Sequence, residues 1–414
     1  MPRTVTFVGR ILSVFTVIFL GALAVTSSAA AAPAAFSRPW APVVLKPADL
    51  PGLAGAPANQ ITVWANTSGG WQPVLSQIDR VTSEGYVGAE TYAFQGSDEL
   101  VFMAGDTGNA ADTLPPGVQL WYEVTVSDPL DATARGVAYV ARMKQPSTPP
   151  PDVYVRYDAA AHTISTQGYN ITFDAAHPII TSLKLAGSET NWLDRSKVWV
   201  LTTICFSTCL ILNEDQLPQA AIEPVVNGPV RVVLSRGGGF AYRDWLAVRT
   251  DVAFSRLGPI GVNQVRLSYD LAPAASGATY RDANTPGGIA VDGTPDAVPT
   301  QPFSPWRQVD LPAGRLVSLF NVTTPAAKLM NYYRDDKTPN ANDTGDKQAY
   351  GDSGIIIDEP GGDSLGVDAA LWPMPGSPAA DGATLAAQVA APLVVNVRGI
   401  QAGVLYLPLL SRAH

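Results

Sequence analysis

Two short stretches concentrate the residue types that move protons next to an acidic group. Phe240-Ala-Tyr242-Arg243-Asp244-Trp245 and Tyr332-Tyr333-Arg334-Asp335-Asp336 each set tyrosine beside arginine, with aromatic or acidic neighbours. Elimination across a uronate sugar needs a group that neutralises the carboxylate, a base and an acid, and Tyr and Arg are suited to those tasks. Tyr242, Arg243, Tyr333 and Arg334 are therefore the catalytic candidates. The competing reading is structural, with packed rings and solvated Arg–Asp pairs. Hydrolysis by paired carboxylates stays open, because acidic residues are plentiful and their separation is not written in the sequence. His162 and His177 read as turn and surface residues. Gly237–Gly239 carries no G-x-S-x-G elbow that would mark a serine nucleophile.

A second kind of chemistry is ligand holding. The loop from Asp335 to Gly354 contains Asp335, Asp336, Asn340, Asn342, Asp343, Asp346 and Asp352, hard oxygen donors on glycine-containing backbone. It reads either as solvated chain or as a calcium site on Asp343 and Asp346, and calcium is the one cofactor suggested. An EF-hand is excluded, since Gly351 stands where the twelfth-position Glu belongs. Nine tryptophans are available for stacking on sugar rings. Trp121 and Trp199 lie inside apolar runs and read as core, whereas Trp40, Trp71, Trp306 and Trp372 neighbour proline or turn residues. Trp71, Trp306 and Trp372 are the substrate-binding candidates. Cys205 and Cys209, the only cysteines, are close enough in sequence for a small disulfide loop outside the cytoplasm. A four-ligand zinc site lacks donors, as the chain has only three histidines besides.

The elements that must position these residues are strands. With 36 glycines and 35 prolines among 414 residues, long helices are excluded and turns are many. Arg3 and Arg10 precede an apolar run, Ile11 to Val25, and small residues follow, so residues 1–34 read as a signal peptide. The run is shorter than the roughly 20 residues of a membrane span, and no later stretch is apolar enough to be one. A net charge of −9 gives no basic footprint for nucleic acid.

Residues 35–144 read as an N-terminal β-sandwich, the proline-rich 145–151 as a linker, and 152–414 as a larger β-rich domain. In the second part, candidate strands recur roughly every 8–15 residues, as in antiparallel sheets. Val265-Arg-Leu-Ser-Tyr269 alternates apolar with polar, the period of a half-buried strand. Pro273 to Pro305 reads as a surface excursion. Pro325–Arg334 is the one helix candidate, with Thr324 as its cap. Ser76 to Gly108 stands out separately. It holds six acidic residues, Asp79, Glu84, Glu90, Asp98, Glu99 and Asp106, against Arg80, in a chain with only 15% charged residues.

Tyr169–Arg195 (YNITFDAAHPIITSLKLAGSETNWLDR) and Asn227–Gly238 (NGPVRVVLSRGG) resemble strands of galactose-mutarotase-like and polysaccharide-lyase β-supersandwich domains. The resemblance covers residues 153–271 and implies a supersandwich in the second domain. It does not extend to epimerase chemistry, since His177 lies in a turn before Pro178 with no second histidine nearby. Residues 77–108 resemble secreted bacterial proteins of unassigned role.

The expectation is thus an all-β, antiparallel sandwich-type protein, secreted or at the cell surface, whose partner is extracellular carbohydrate. The leading function is non-catalytic carbohydrate recognition or a cell-surface role. The alternative is a uronate polysaccharide lyase, and a third possibility is a scaffold without a small ligand.

Overall fold

The computed structural model describes residues 36–88, 92–113, 115, 117–144, 152–204, 208–216, 222–234, 239–253, 261–323, 326–360 and 364–400. The signal segment, the 145–151 linker and Cys205 lie outside these residues. The fold is all-β and antiparallel throughout.

The N-terminal part is a sandwich. One sheet has the strand order Pro42–Leu45, Glu99–Met103, Ser76–Thr82, Gly85–Val87. The other runs Val394–Ile400, Val118–Asp128, Asp131–Met143, Ile61–Thr67, Gly70–Val74. Alternating residues of both meet in a core that includes Val43, Leu45, Leu100, Phe102, Val63, Val124 and Val140. Its edge strand Val394–Ile400 comes from the far end of the chain and pairs with Val118–Asp128. The division at 145–151 is therefore incomplete, because the last described strand belongs to the first sandwich.

The second part packs three sheets around one core. They have four, five and nine strands, and their inward residues include Ile171, Leu183, Val200, Leu267, Ile357, Leu316 and Val367. The Pro273–Pro305 region is more ordered than expected. Its strands Ala278–Asp282 and Ile289–Val291 extend the nine-stranded sheet at one edge.

The described part of the expected helix, residues 326–334, is not helical. Ala326–Asp336 is a strand paired along Ala349–Pro360. Leu329 and Tyr333 turn to the core while Tyr332 and Arg334 take the opposite face, a period of two that the apparent proline cap concealed. The described α-helix is Gly382–Ala390, capped by Asp381, whose Oδ1 accepts from Thr384 N at 2.7 Å. It lies on the outer face of the nine-stranded sheet, burying Leu385 beside Val317, Leu319 and Trp372.

The two parts are joined by a buried arginine. Arg231 Nε donates to Asp79 at 2.6 Å, Nη2 to Glu99 at 2.7 Å, and Nη1 to the Tyr242 hydroxyl at 3.2 Å. Its guanidinium lies over the rings of Tyr86 and Phe240. Gln77 Oε1 accepts from Val230 N and Arg231 N, both at 3.0 Å, and its amide donates to Asp79. The acidic stretch of the first sandwich and the Gly228-Pro-Val-Arg231 turn, between the short strands Val226–Asn227 and Val232–Val233 of the second part, are thus two halves of one interface.

Candidate functional site

The outer face of the five-stranded sheet carries the candidate site. Its strand order is Thr208–Asn213, Leu193–Ile204, Gly261–Leu271, Ala349–Pro360, Ala326–Asp336. Along Gly261–Leu271, Val265, Leu267, Tyr269 and Leu271 are buried in the core. The alternate positions, Gln264, Arg266, Ser268 and Asp270, are left for the other face. Cross-strand register sets Trp199 opposite Arg266 and Arg266 opposite Ile356, with Tyr332 opposite Gly354. Gly354 is required by close approach: a Cβ there would stand 2.0 Å from the Leu267 carbonyl oxygen.

Arg266 is held between two rings. Its guanidinium carbon is 4.0 Å from the Trp199 centroid and 4.4 Å from that of Tyr332. Nη1 donates to the Tyr332 hydroxyl at 2.8 Å, which donates in turn to Asp352 at 3.1 Å. Nη2 stands 4.0 Å from Asp352, beyond hydrogen-bond reach. Arg266 Nε, Arg266 Nη2 and Trp199 Nε1 are buried without a hydrogen-bond partner. A cleft of about 130 Å³ opens here, lined by Trp199, Leu201, Gln264, Arg266, Tyr332 and Ile356.

One end of this face is tied down by ion pairs. Lys197, fully buried, sits 2.6 Å from Asp270 and 2.8 Å from Asp343. Burial pulls its pKa down, but Asp352 and Asp270 outweigh that and raise it, so the ammonium stays charged. Asp270 is pushed well up, chiefly by burial and then by Asp352. Burial also raises the Tyr332 hydroxyl, with Asp352 adding to the effect, so this phenol keeps its proton at neutral pH.

The residues expected from the sequence are dispersed. Tyr242 is buried in the interdomain interface, stacked 4.6 Å from Trp245, and its hydroxyl serves Arg231. Arg243 lies over the Tyr154 ring and pairs with Asp244. Tyr333 faces the core, 4.4 Å from Tyr280, and burial raises its pKa. Arg334 binds Asp343 at 2.7 Å and is engaged in the ion-pair network. Neither Tyr–Arg cluster converges on one spot: Tyr333 and Arg334 are strand neighbours that point to opposite faces, and Tyr242 and Arg243 lie in the bend between Phe240–Ala241 and Leu246–Ala253 with separate partners.

The tryptophan candidates do not share a strip either. Trp71 packs edge-on against Tyr139 at 4.9 Å, in a small cluster with Trp64 and Trp121. Trp306 lies under the first turn of the helix, and Trp372 is buried and stacked on Trp245 at 5.6 Å, with Trp40 edge-on. Asp343 and Asp346 have different partners. Both Asp343 oxygens go to cations, Lys197 and Arg334. Asp346 instead has Asp194 and Asp270 as carboxylate neighbours, with one oxygen of each residue within 4.8 Å of the others. Backbone register places Cys209 opposite Thr203, and the pairing of Cys205 with Cys209 lies outside the described residues.

Trp199 and Arg266 escaped the sequence reading, and Tyr332 was passed over for Tyr333. The signal for all three was the alternation around Val265–Tyr269 combined with sheet register. No family model matches the chain, and no curated protein matches it in sequence. Among the described residues, no helix is long and apolar enough to cross a membrane.

Proposed function

We propose that this is an exported protein that recognises carbohydrate on the outer face of its five-stranded sheet without transforming it. One observation carries the reading: Trp199, Arg266 and Tyr332, from three strands of one sheet, stack beside a cleft, flanked by the Gln264 amide and the apolar Leu201 and Ile356. Aromatic surfaces beside planar hydrogen-bonding groups suit sugar rings, whose faces are apolar and whose rims are polar. The export assignment rests on the N-terminal Arg-flanked apolar run.

Lyase chemistry is the second reading, moved from Tyr242 and Tyr333 to Tyr332. It is favoured by the Arg266–Tyr332–Asp352 hydrogen-bond chain, which joins a cation, a phenol and a carboxylate. Against it, the phenol is raised in pKa by burial and is therefore poorly suited as a base. A bound calcium ion would use Asp346 with Asp194 and Asp270. Glycan-array binding together with an assay for unsaturated uronate products tests both readings. Binding without new absorbance is expected, and product formation would replace recognition by catalysis.

A further inference from the structure

We infer that the cleft takes an acidic saccharide and seats its acid group on the free edge of Arg266. The inference deepens the carbohydrate reading and rests on it. Among the described residues lining the cleft, the buried polar atoms without a partner are all donors: Arg266 Nε, Arg266 Nη2 and Trp199 Nε1. Nε and Nη2 form one side of the guanidinium fork, and Nη1 is already committed to Tyr332. Such an edge matches two oxygens of a carboxylate or a sulfate ester.

The donor inventory separates acidic from neutral sugars. A hydroxyl brings a hydrogen that needs an acceptor, whereas an acid group brings acceptors alone and answers N–H donors without adding any. Arg266 is only 7% exposed, so its charge lies in a medium of low polarity where an unanswered donor is costly. Asp352 opposes an incoming anion from 4.0 Å away. That opposition is reduced because Asp352 also interacts with the Lys197 ammonium and receives the Tyr332 hydroxyl. Trp199 and Tyr332 fix the guanidinium plane, so the fork is oriented before a ligand arrives.

The test is calorimetric titration of the full chain with three oligosaccharides of equal length: one neutral, one bearing uronate carboxylates, one bearing sulfate esters. At least one acidic ligand should bind tighter than the neutral one, and more weakly as salt is added. Which acid binds better identifies its source. Arg266→Gln should weaken that binding by roughly 10–100-fold, while Trp71→Phe leaves it unchanged. If Arg266→Gln fails to fold, Arg266→Lys carries the comparison, because lysine keeps the charge but loses the fork. Unchanged affinity in Arg266→Lys overturns the inference. Neutral and acidic ligands binding equally also overturns it, yet leaves carbohydrate recognition standing. If none of the three binds, the carbohydrate reading falls and the inference with it.

Discussion

Arg231 and Arg266 are both buried against aromatic rings, and their surroundings diverge in what their N–H groups meet. Arg231 lies over Tyr86 and Phe240 with all three nitrogens bonded, to Asp79, Glu99 and Tyr242. Arg266 lies between Trp199 and Tyr332 with a single bonded nitrogen, Nη1. The first is a closed network between two parts of the fold, and nothing is left over for a ligand. The second keeps Nε and Nη2 buried and unbonded in a side chain that lines a cleft. The same residue with similar ring contacts serves cohesion in one place and recognition in the other. Satisfaction of hydrogen bonds, more than burial or aromatic company, tells them apart.

The largest expected effect comes from removing the closed network. Arg231→Met leaves Asp79 and Glu99 without their cation and should cost about 3–5 kcal/mol in denaturant unfolding. Arg266→Met should cost less than about 1 kcal/mol, since it removes a desolvated charge with one hydrogen bond. Equal losses in the two variants would break the comparison.

A smaller loss is expected at Gly228, where an added Cβ would stand 2.2 Å from the Gln77 side-chain amide. Gly228→Ala should destabilise by about 1–3 kcal/mol through overpacking, and no change would mean the interface is loosely packed.

Proton linkage at the same interface gives a subtler readout. Burial raises Asp79 above its ordinary 3.8, although Arg231 pulls it down. The folded state therefore holds this proton to higher pH than the unfolded chain does. The resulting stability is present below about 3.8 and is lost as pH rises through the folded value. Asp79→Asn should abolish that part of the pH slope, measured by unfolding at a series of acidic pH values. An unchanged slope would assign it to other carboxylates.

The smallest effect is expected from calcium. Lys197 already sits 2.6 Å from Asp270, so an ion at Asp194, Asp270 and Asp346 competes with an ammonium. Millimolar calcium against chelator should raise the melting temperature only slightly. A large shift would mean that the metal displaces Lys197, and the ion-pair end of the sheet would then be a metal centre.

Much of this architecture was legible. Glycine and proline punctuation with alternating runs pointed to antiparallel sheets, and these are what the chain forms. The acidic Gln77–Gly108 stretch and the Asn227–Gly238 stretch each drew attention, but their meeting was hidden. Gln77 and Arg231 are 154 positions apart, and no local pattern encodes a pairing at that separation. Tyr332 and Tyr333 are adjacent and chemically alike, so only strand register decides which one faces the cleft. Trp199 looked like core because its neighbours Val198 and Val200 are core. The better-exposed-looking tryptophans sit beside proline and turns, yet a helix or a neighbouring ring covers them. Position in sequence reported the backbone well and the covering elements poorly.

The most direct test of the central claim is a single binding series on the saccharide that the wild-type protein selects from a glycan array. Trp199→Ala and Arg266→Gln are compared with Trp71→Ala and Trp306→Ala, each checked for an intact unfolding transition. The account predicts that binding is lost in the first pair and kept in the second. Binding that survives in Trp199→Ala and Arg266→Gln but disappears in Trp71→Ala or Trp306→Ala would contradict it, and would move the recognition surface off the five-stranded sheet.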